Sequence, residues 1–194
     1  MWKRRPVSFC PVRPELRHVP EGNAMTYLIR EANAQDFARL ADIEKAAAIL
    51  FSEVGLPEIA EHDPTDLDFI EAAARAGVVL IAVVDGAPAG FLLAAPLDRH
   101  THIYELSVHP AHGRKGLGRR LVEAVCDWAE KKGDQAVTLS TFQDIAWNGP
   151  FYASCGFEEI ARHEWTPALL LAHYREEGAG LPMERRCFMR KNLH

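Results

Sequence analysis

The chemistry-bearing residues concentrate in one stretch, Glu105-Leu106-Ser107-Val108-His109-Pro110, Ala111-His112, Gly113-Arg114-Lys115-Gly116-Leu117-Gly118 and Arg119-Arg120-Leu121. It reads as a strand, a glycine loop and the start of a helix. Glycines let a backbone approach a ligand closely, and the first N–H groups of a helix lack intrahelical acceptors, so the segment can cradle an anion such as a pyrophosphate. Arg114, Lys115 and Arg119 add positive charge there. A Walker loop would need Lys-Ser or Lys-Thr after its last glycine, which is missing. A dinucleotide fingerprint would need Gly or Ala where Leu121 stands, near the start of its domain rather than after about four strands. An ordinary strand-to-helix loop is the plain alternative, because G-x-G spacings recur by chance.

Few other groups have chemically suggestive spacing. His109 and His112 flank the loop, and an unshifted imidazole near ~6.5 is a natural base. His100 and His102 share a strand face, but two histidines without a third ligand do not make a metal site. Cys10, Cys126, Cys155 and Cys187 are scattered with no C-x-x-C pair, which suits reduced thiols better than zinc or a disulfide framework. The net charge of −5 disfavours a nucleic-acid backbone as main partner, and no apolar run approaches the ~20 residues of a membrane span. A cytoplasmic, metal-free protein without nucleic-acid or membrane partners is expected.

The elements that must position the loop follow from periodicity. Residues 26–30 read as a strand, and Phe37, Leu40, Ile43, Ala47 and Leu50 mark an amphipathic helix after Asp36. A polar loop with Pro57 and His62 follows, then a helix capped by Thr65 or Asp66 and ended by Gly77. Val78–Val84 and Ala89–Ala95 form a hairpin about Asp85-Gly86-Ala87-Pro88. The fourth strand spans about 101–109. Leu117, Leu121, Val125, Trp128 and Ala129 mark the helix after the loop, closed by Gly133. Strands at 136–140 and from 158, a short helix at 150–154, a helix from Pro167 to Glu177 and a last strand at 185–191 complete an α/β or α+β chain with a mixed sheet. Residues 1–24, basic and rich in proline, read as a flexible leader before one domain at 25–194.

The loop, the strand ending Val108-His109-Pro110 and the later Trp147-Asn148-Gly149-Pro150-Phe151-Tyr152-Ala153-Ser154-Cys155-Gly156-Phe157 together resemble the GCN5-related N-acetyltransferases (GNAT). The likeness covers about Tyr27 to Lys191. It implies a mostly antiparallel sheet of six to seven strands flanked by helices and splayed between strands 4 and 5. It also implies acetyl-CoA as co-substrate and an amine acceptor. The backbone amides of Arg114 to Arg119, in a loop spanning Gly113, Arg114, Lys115, Gly116, Leu117, Gly118 and Arg119, would take the pyrophosphate. Leu106 and Val108 would offer backbone groups to the pantetheine arm. The family pattern [RQ]-x-x-G-x-[GA] meets Gly113 at its first position, so Arg114 is the substitute for that side chain.

Acetyl transfer to an amine needs a neutral nucleophile, a stabilised oxyanion and a proton for the leaving thiolate. The resemblance points to Glu105 as base, acting directly or through water, with His109 and His112 as alternatives and an ion-pairing strand residue as the plain reading. It points to Tyr152 as general acid, against a core tyrosine with a bonded hydroxyl. Asn148 would bind the coenzyme or serve as a helix N-cap. Cys155 reads as a small core residue. The acceptor would be bounded by the first helix, the acidic loop from Phe51 to Asp63 and the C-terminal segment, and the loop's composition suits a cationic amine or a solvated surface. A catalytically silent acyl-CoA-binding module, or use of a longer acyl chain, are the competing readings, and a homodimer is common among relatives.

Overall fold

The computed structural model describes residues 27–194. The leader expected at 1–24, with Cys10, lies outside them. Strand β1 (Tyr27–Glu31) leads into α1 (Ala34–Ala48), whose start is fixed by a capping box: the Asn33 side chain accepts from Gln35 N–H, and Asp36 accepts from Asn33 N–H at 2.8 Å. Arg30 donates twice to the same Asp36 carboxylate, at 2.7 and 2.9 Å, and holds it below the usual carboxylate range. This pins α1 to the edge strand.

A 3-10 turn (Ile49–Val54) and a short α2 (Pro57–Ala60) occupy the segment expected to be a polar loop. Its apolar minority decides the outcome, because Leu56 and Ile59 are buried against Phe142 and Ile145. Helix α3 (Leu67–Ala76) is capped by Asp66. Strands β2 (Val78–Val84) and β3 (Ala87–Leu97) form the expected hairpin, with Asp85 and Gly86 at φ +49° and +84° in a two-residue turn. Then come β4 (His100–Val108), α4 (Leu117–Lys132), β5 (Ala136–Phe142), α5 (Gly149–Ser154), a two-residue β6 (Glu158–Glu159), α6 (Pro167–Gly178) and β7 (Arg186–Asn192).

The seven strands are ordered β1-β2-β3-β4-β5-β7-β6, antiparallel except for the β4–β5 pair. The unbroken apolar run of β2 is buried on both faces. Val78, Leu80, Ala82 and Val84 pack toward α4, while Val79 and Ile81 pack toward Leu40, Ile43, Ile70 and Ala73 of α1 and α3. Helix α4 therefore covers one face and α1 and α3 the other. No helix among the described residues is long and apolar enough to cross a membrane.

Candidate active site

Strands β4 and β5 pair only through Thr101–Ile103 and Val137–Leu139, although β4 runs to Val108 and β5 to Phe142. The cause lies on the other side of β4. Its register with β3 steps from Leu93↔Glu105 to Ala94↔Ile103, leaving Tyr104 as an extra residue. Such a bulge bends a strand and increases its twist, which turns the second half of β4 away from β5. The edge of Tyr104–Val108 that faces β5 is thus left open over about 17 Å, at ~3.3 Å per residue. Unpaired backbone of that length is a template for an extended ligand.

The gap opens into a cleft of about 1260 Å³ that groups from both faces of the sheet line. Glu105 enters from the α1 face. Ser107 donates to its Oε1 at 2.7 Å, and burial, together with the nearby Glu44 charge, pushes its carboxyl up to about 7 against the favourable charge of Arg186. Tyr152 enters from the α4 face. Its ring packs on Phe151 and Phe157 at 5.1 and 5.8 Å. The residue is only 8% exposed, yet among the described residues its hydroxyl makes no hydrogen bond. Burial first, and then the Glu105 charge, hold its phenol well above the ordinary value. The two sequence candidates for base and acid therefore meet because the sheet is split there.

At one end of the cleft the glycine loop enters α4. Gly116 sits at φ +81° with open space where a Cβ would stand, and Arg114 also lies in the left-handed region at φ +55°. The first intrahelical bond runs from Arg120 N–H to Gly116 O, so the amides of Leu117, Gly118 and Arg119 precede the helical ladder. Gly113 is extended, and a Cβ there would stand 3.1 Å from the Pro110 carbonyl oxygen. Leu117 is buried and contributes only its amide, and Leu106 and Val108 pack partly against the core on the open strand.

Some side chains have other employment than their charge suggests. Arg119 donates to Ser154 O and Oγ at 3.0 and 2.8 Å, tying α4 to the end of α5, so only its amide faces the role expected of the loop. Lys115 Nζ donates to Ala111 O at 3.1 Å. Arg114 lines the cleft with no hydrogen bond or ion pair among the described residues. His109 Nδ1 accepts from Ala111 N–H at 3.3 Å and caps the turn, while His112 lines the cleft. Asn148 stands at the N-cap position of α5 without capping it; its Oδ1 accepts from Thr141 Oγ1 at 2.9 Å, which leaves its amide nitrogen as a donor in the cleft. Cys155 is a buried core residue.

His102 is buried, with Nδ1 2.8 Å from Thr138 Oγ1, and its imidazole is pushed down to about 3 by burial. Among the described residues no group of three or more His, Cys, Asp or Glu side chains is placed to hold a metal ion.

The far end of the cleft contains residues not singled out by the sequence reading. Glu44 of α1 accepts from Thr65 N–H at 3.1 Å and from Thr65 Oγ1 at 3.0 Å. Glu176 pairs with Arg186 at 2.9 Å, and both bond Ser140 Oγ. Glu44 was findable. It follows Ile43 directly and Leu40 by four positions, which puts a carboxylate at the edge of a buried stripe.

The model of the acetyltransferase (GNAT) family matches residues 37–157. Among solved structures, an acetyltransferase of the GNAT family from Staphylococcus aureus superposes with a TM-score of 0.67 at 19% identity, covering 87% of this chain and 100% of that one. N-acetylglutamate synthase from Neisseria gonorrhoeae, solved with coenzyme A and N-acetyl-glutamate, gives 0.64 at 20% identity over 87% of this chain and 35% of that one. An N-acetyltransferase from Thermoplasma acidophilum, in complex with coenzyme A, gives 0.59 at 16% identity over 87% and 99%. At such identities the structural likeness establishes the fold, and the family model the membership.

Proposed function

The chain belongs to the GNAT acetyltransferase family, and we propose that it moves an acetyl group directly from acetyl-CoA to a primary amine of a small molecule or peptide. One observation carries this reading: Glu105 and Tyr152 reach a single cleft from opposite faces of the sheet, beside an open strand edge that ends at an anion cradle. Both coenzyme-bound relatives named above support coenzyme A as the donor.

In this scheme the free edge of Tyr104–Val108 receives the pantetheine arm, and the amides of Leu117, Gly118 and Arg119 receive the pyrophosphate. Asn148 and Arg114 supply side-chain donors. Glu105, as carboxylate, takes the proton from the incoming ammonium, whose nitrogen then attacks the acetyl carbonyl. A backbone N–H of the open β4 edge stabilises the oxyanion. As the C–S bond breaks, the Tyr152 hydroxyl gives its proton to the departing sulfur. As the amide forms, its nitrogen sheds a second proton, which restores Tyr152, and the proton taken by Glu105 leaves to solvent, so one ammonium and one thioester give one amide, one thiol and one proton.

Titration calorimetry with acetyl-CoA, paired with a thiol-release assay over amines, amino acids, aminoglycosides and peptide N-termini, tests the proposal. Binding followed by acceptor-dependent thiol release is the expected result. Binding without release under every acceptor would identify a silent acyl-CoA module instead. Gly116→Ala should weaken acetyl-CoA binding at least ~10-fold, since a Cβ enters the cradle and a left-handed alanine costs about 1–2 kcal/mol. Unchanged affinity in that variant would remove the loop from the coenzyme site.

A further inference from the structure

At the acceptor end of the cleft, the chain places more carboxylates than cations. Apart from Arg114 and Arg119 of the glycine loop and the two histidines His62 and His112, the charged residues that line the cleft are Glu44, Glu53, Asp63, Glu105 and Glu176 against Lys45 and Arg186. Arg186 is already committed to Glu176 at 2.9 Å, and its guanidinium lies 4.8 Å from the centre of the Phe142 ring. Glu44 has no cationic partner among the described residues. Its carboxylate is nevertheless held in one orientation by three contacts from Thr65, two from the backbone N–H and one from the hydroxyl, all between 3.0 and 3.1 Å. Two carboxyls, Glu44 and Glu105, thus line one cleft, and the cation that favours Glu105, Arg186, is itself paired with Glu176.

A second observation points to a ligand in the same cleft. Tyr152, more than nine-tenths buried, brings an unpartnered hydroxyl into the cleft from the other face of the sheet. The cleft also has an apolar wall, Phe51 against Phe142 at 5.5 Å and against Trp147 at 6.1 Å. A cationic head for each carboxyl and an alkyl spacer for the wall describe an aliphatic diamine or longer polyamine.

We propose that Glu44 is a specificity-determining residue that binds a second ammonium of the acceptor, so that the preferred acceptors are aliphatic amines carrying two or more cationic nitrogens. The assignment rests on the acetyl-transfer reading for what happens to the first nitrogen, which lies beside Glu105, but not for the binding preference itself. Burial raises the Glu44 carboxyl against the Thr65 hydrogen bonds, and an ammonium beside it would favour the carboxylate. An α-amino acid would instead bring its own carboxylate toward Glu44, and like charges at such a site repel.

The test compares 1,4-diaminobutane with butylamine, of equal chain length and one charge fewer. Full-length protein saturated with coenzyme A is titrated with each amine by calorimetry, and acetyl-CoA thiol release is measured in parallel. The expected result is a diamine preference of at least tenfold in Kd and in kcat/KM, lost in Glu44→Gln and retained in Glu44→Asp; butylamine is measured in each variant as the reference, so that any change in Glu105 from losing the Glu44 charge acts on both amines and cancels in the ratio. Equal affinity for the two amines, or a preference that survives in Glu44→Gln, would overturn the proposal. So would a parallel loss for both amines with a lowered Tm, which would make Glu44 structural. Should Glu44→Gln fail to fold, Thr65→Val keeps the carboxylate and removes one orienting bond; it should erode the preference, and an unchanged preference there would count against the proposal. A preference in binding without thiol release would contradict the acetyl-transfer reading and leave the Glu44 assignment standing.

Discussion

Tyr152→Phe should lower turnover roughly 10–1000-fold while acetyl-CoA affinity and Tm barely change. The ring keeps its contacts with Phe151 and Phe157, so the packing that buries this residue is retained. The hydroxyl has no hydrogen-bond partner among the described residues, and removing it leaves no orphaned group behind. A core tyrosine of purely structural purpose would show the opposite pattern, because its hydroxyl would be bonded and its loss would be felt in stability. Burial and the Glu105 charge keep the phenol protonated throughout the neutral range, ready to meet a thiolate whose conjugate acid lies near ~8.5. If kcat per folded molecule is preserved in Tyr152→Phe, the acid is another group or water. Kinetics with acetyl-CoA saturating, beside a melting curve of the same preparation, separate these outcomes.

Glu105→Gln should cost about 100-fold in kcat/KM at pH 7 and recover as pH rises. The wild-type carboxyl, pushed up to about 7 chiefly by burial, becomes a base as pH passes through that value, so wild-type kcat/KM should climb there and level off. In the variant the only neutral amine is the fraction that ionises unaided. That fraction grows about tenfold per pH unit for an alkylamine of pKa near ~10, which sets the slope of recovery. A variant profile parallel to wild type would exclude Glu105 as the base. Stability offers an independent readout. The folded carboxyl binds its proton more tightly than the unfolded one, so wild-type stability from this group falls as pH rises from about 4.5 through about 7. Glu105→Gln, which carries no charge and can still accept from Ser107, should therefore melt higher than wild type at pH 8 and show little advantage at pH 5.

The extent to which the sequence discloses these features depends on whether each has a local cause. Helix α4 and its loop are legible because Leu117, Leu121, Val125 and Ala129 recur on one face between glycines at both ends. The β2–β3 hairpin is legible in Asp85-Gly86. The opening between β4 and β5 could be expected only through family resemblance, because its cause is one extra residue, Tyr104, and a bulge depends on the partner strand. The acidic stretch after Phe51 reads as solvated loop, since charge outnumbers the two residues, Leu56 and Ile59, that bury it. Arg119 looks like a phosphate ligand in the sequence, but α5, which packs against α4 from some thirty positions away, claims it through Ser154. Glu44 is legible in the sequence only as a carboxylate at the edge of a buried stripe. Its meaning depends on Thr65 and Glu105, brought to it by two other elements.

The cleft is proposed to join an acetyl group to an amine nitrogen. Incubating the protein with acetyl-CoA labelled with carbon-13 in the acetyl group, together with an aliphatic amine, and analysing the products by mass spectrometry tests it most directly. The expected product is an N-acetylated amine carrying the label, in amount equal to the free coenzyme A released and sharply reduced in Tyr152→Phe. Free labelled acetate with no acetylated amine, or coenzyme binding with neither product across the acceptor panel, would contradict it.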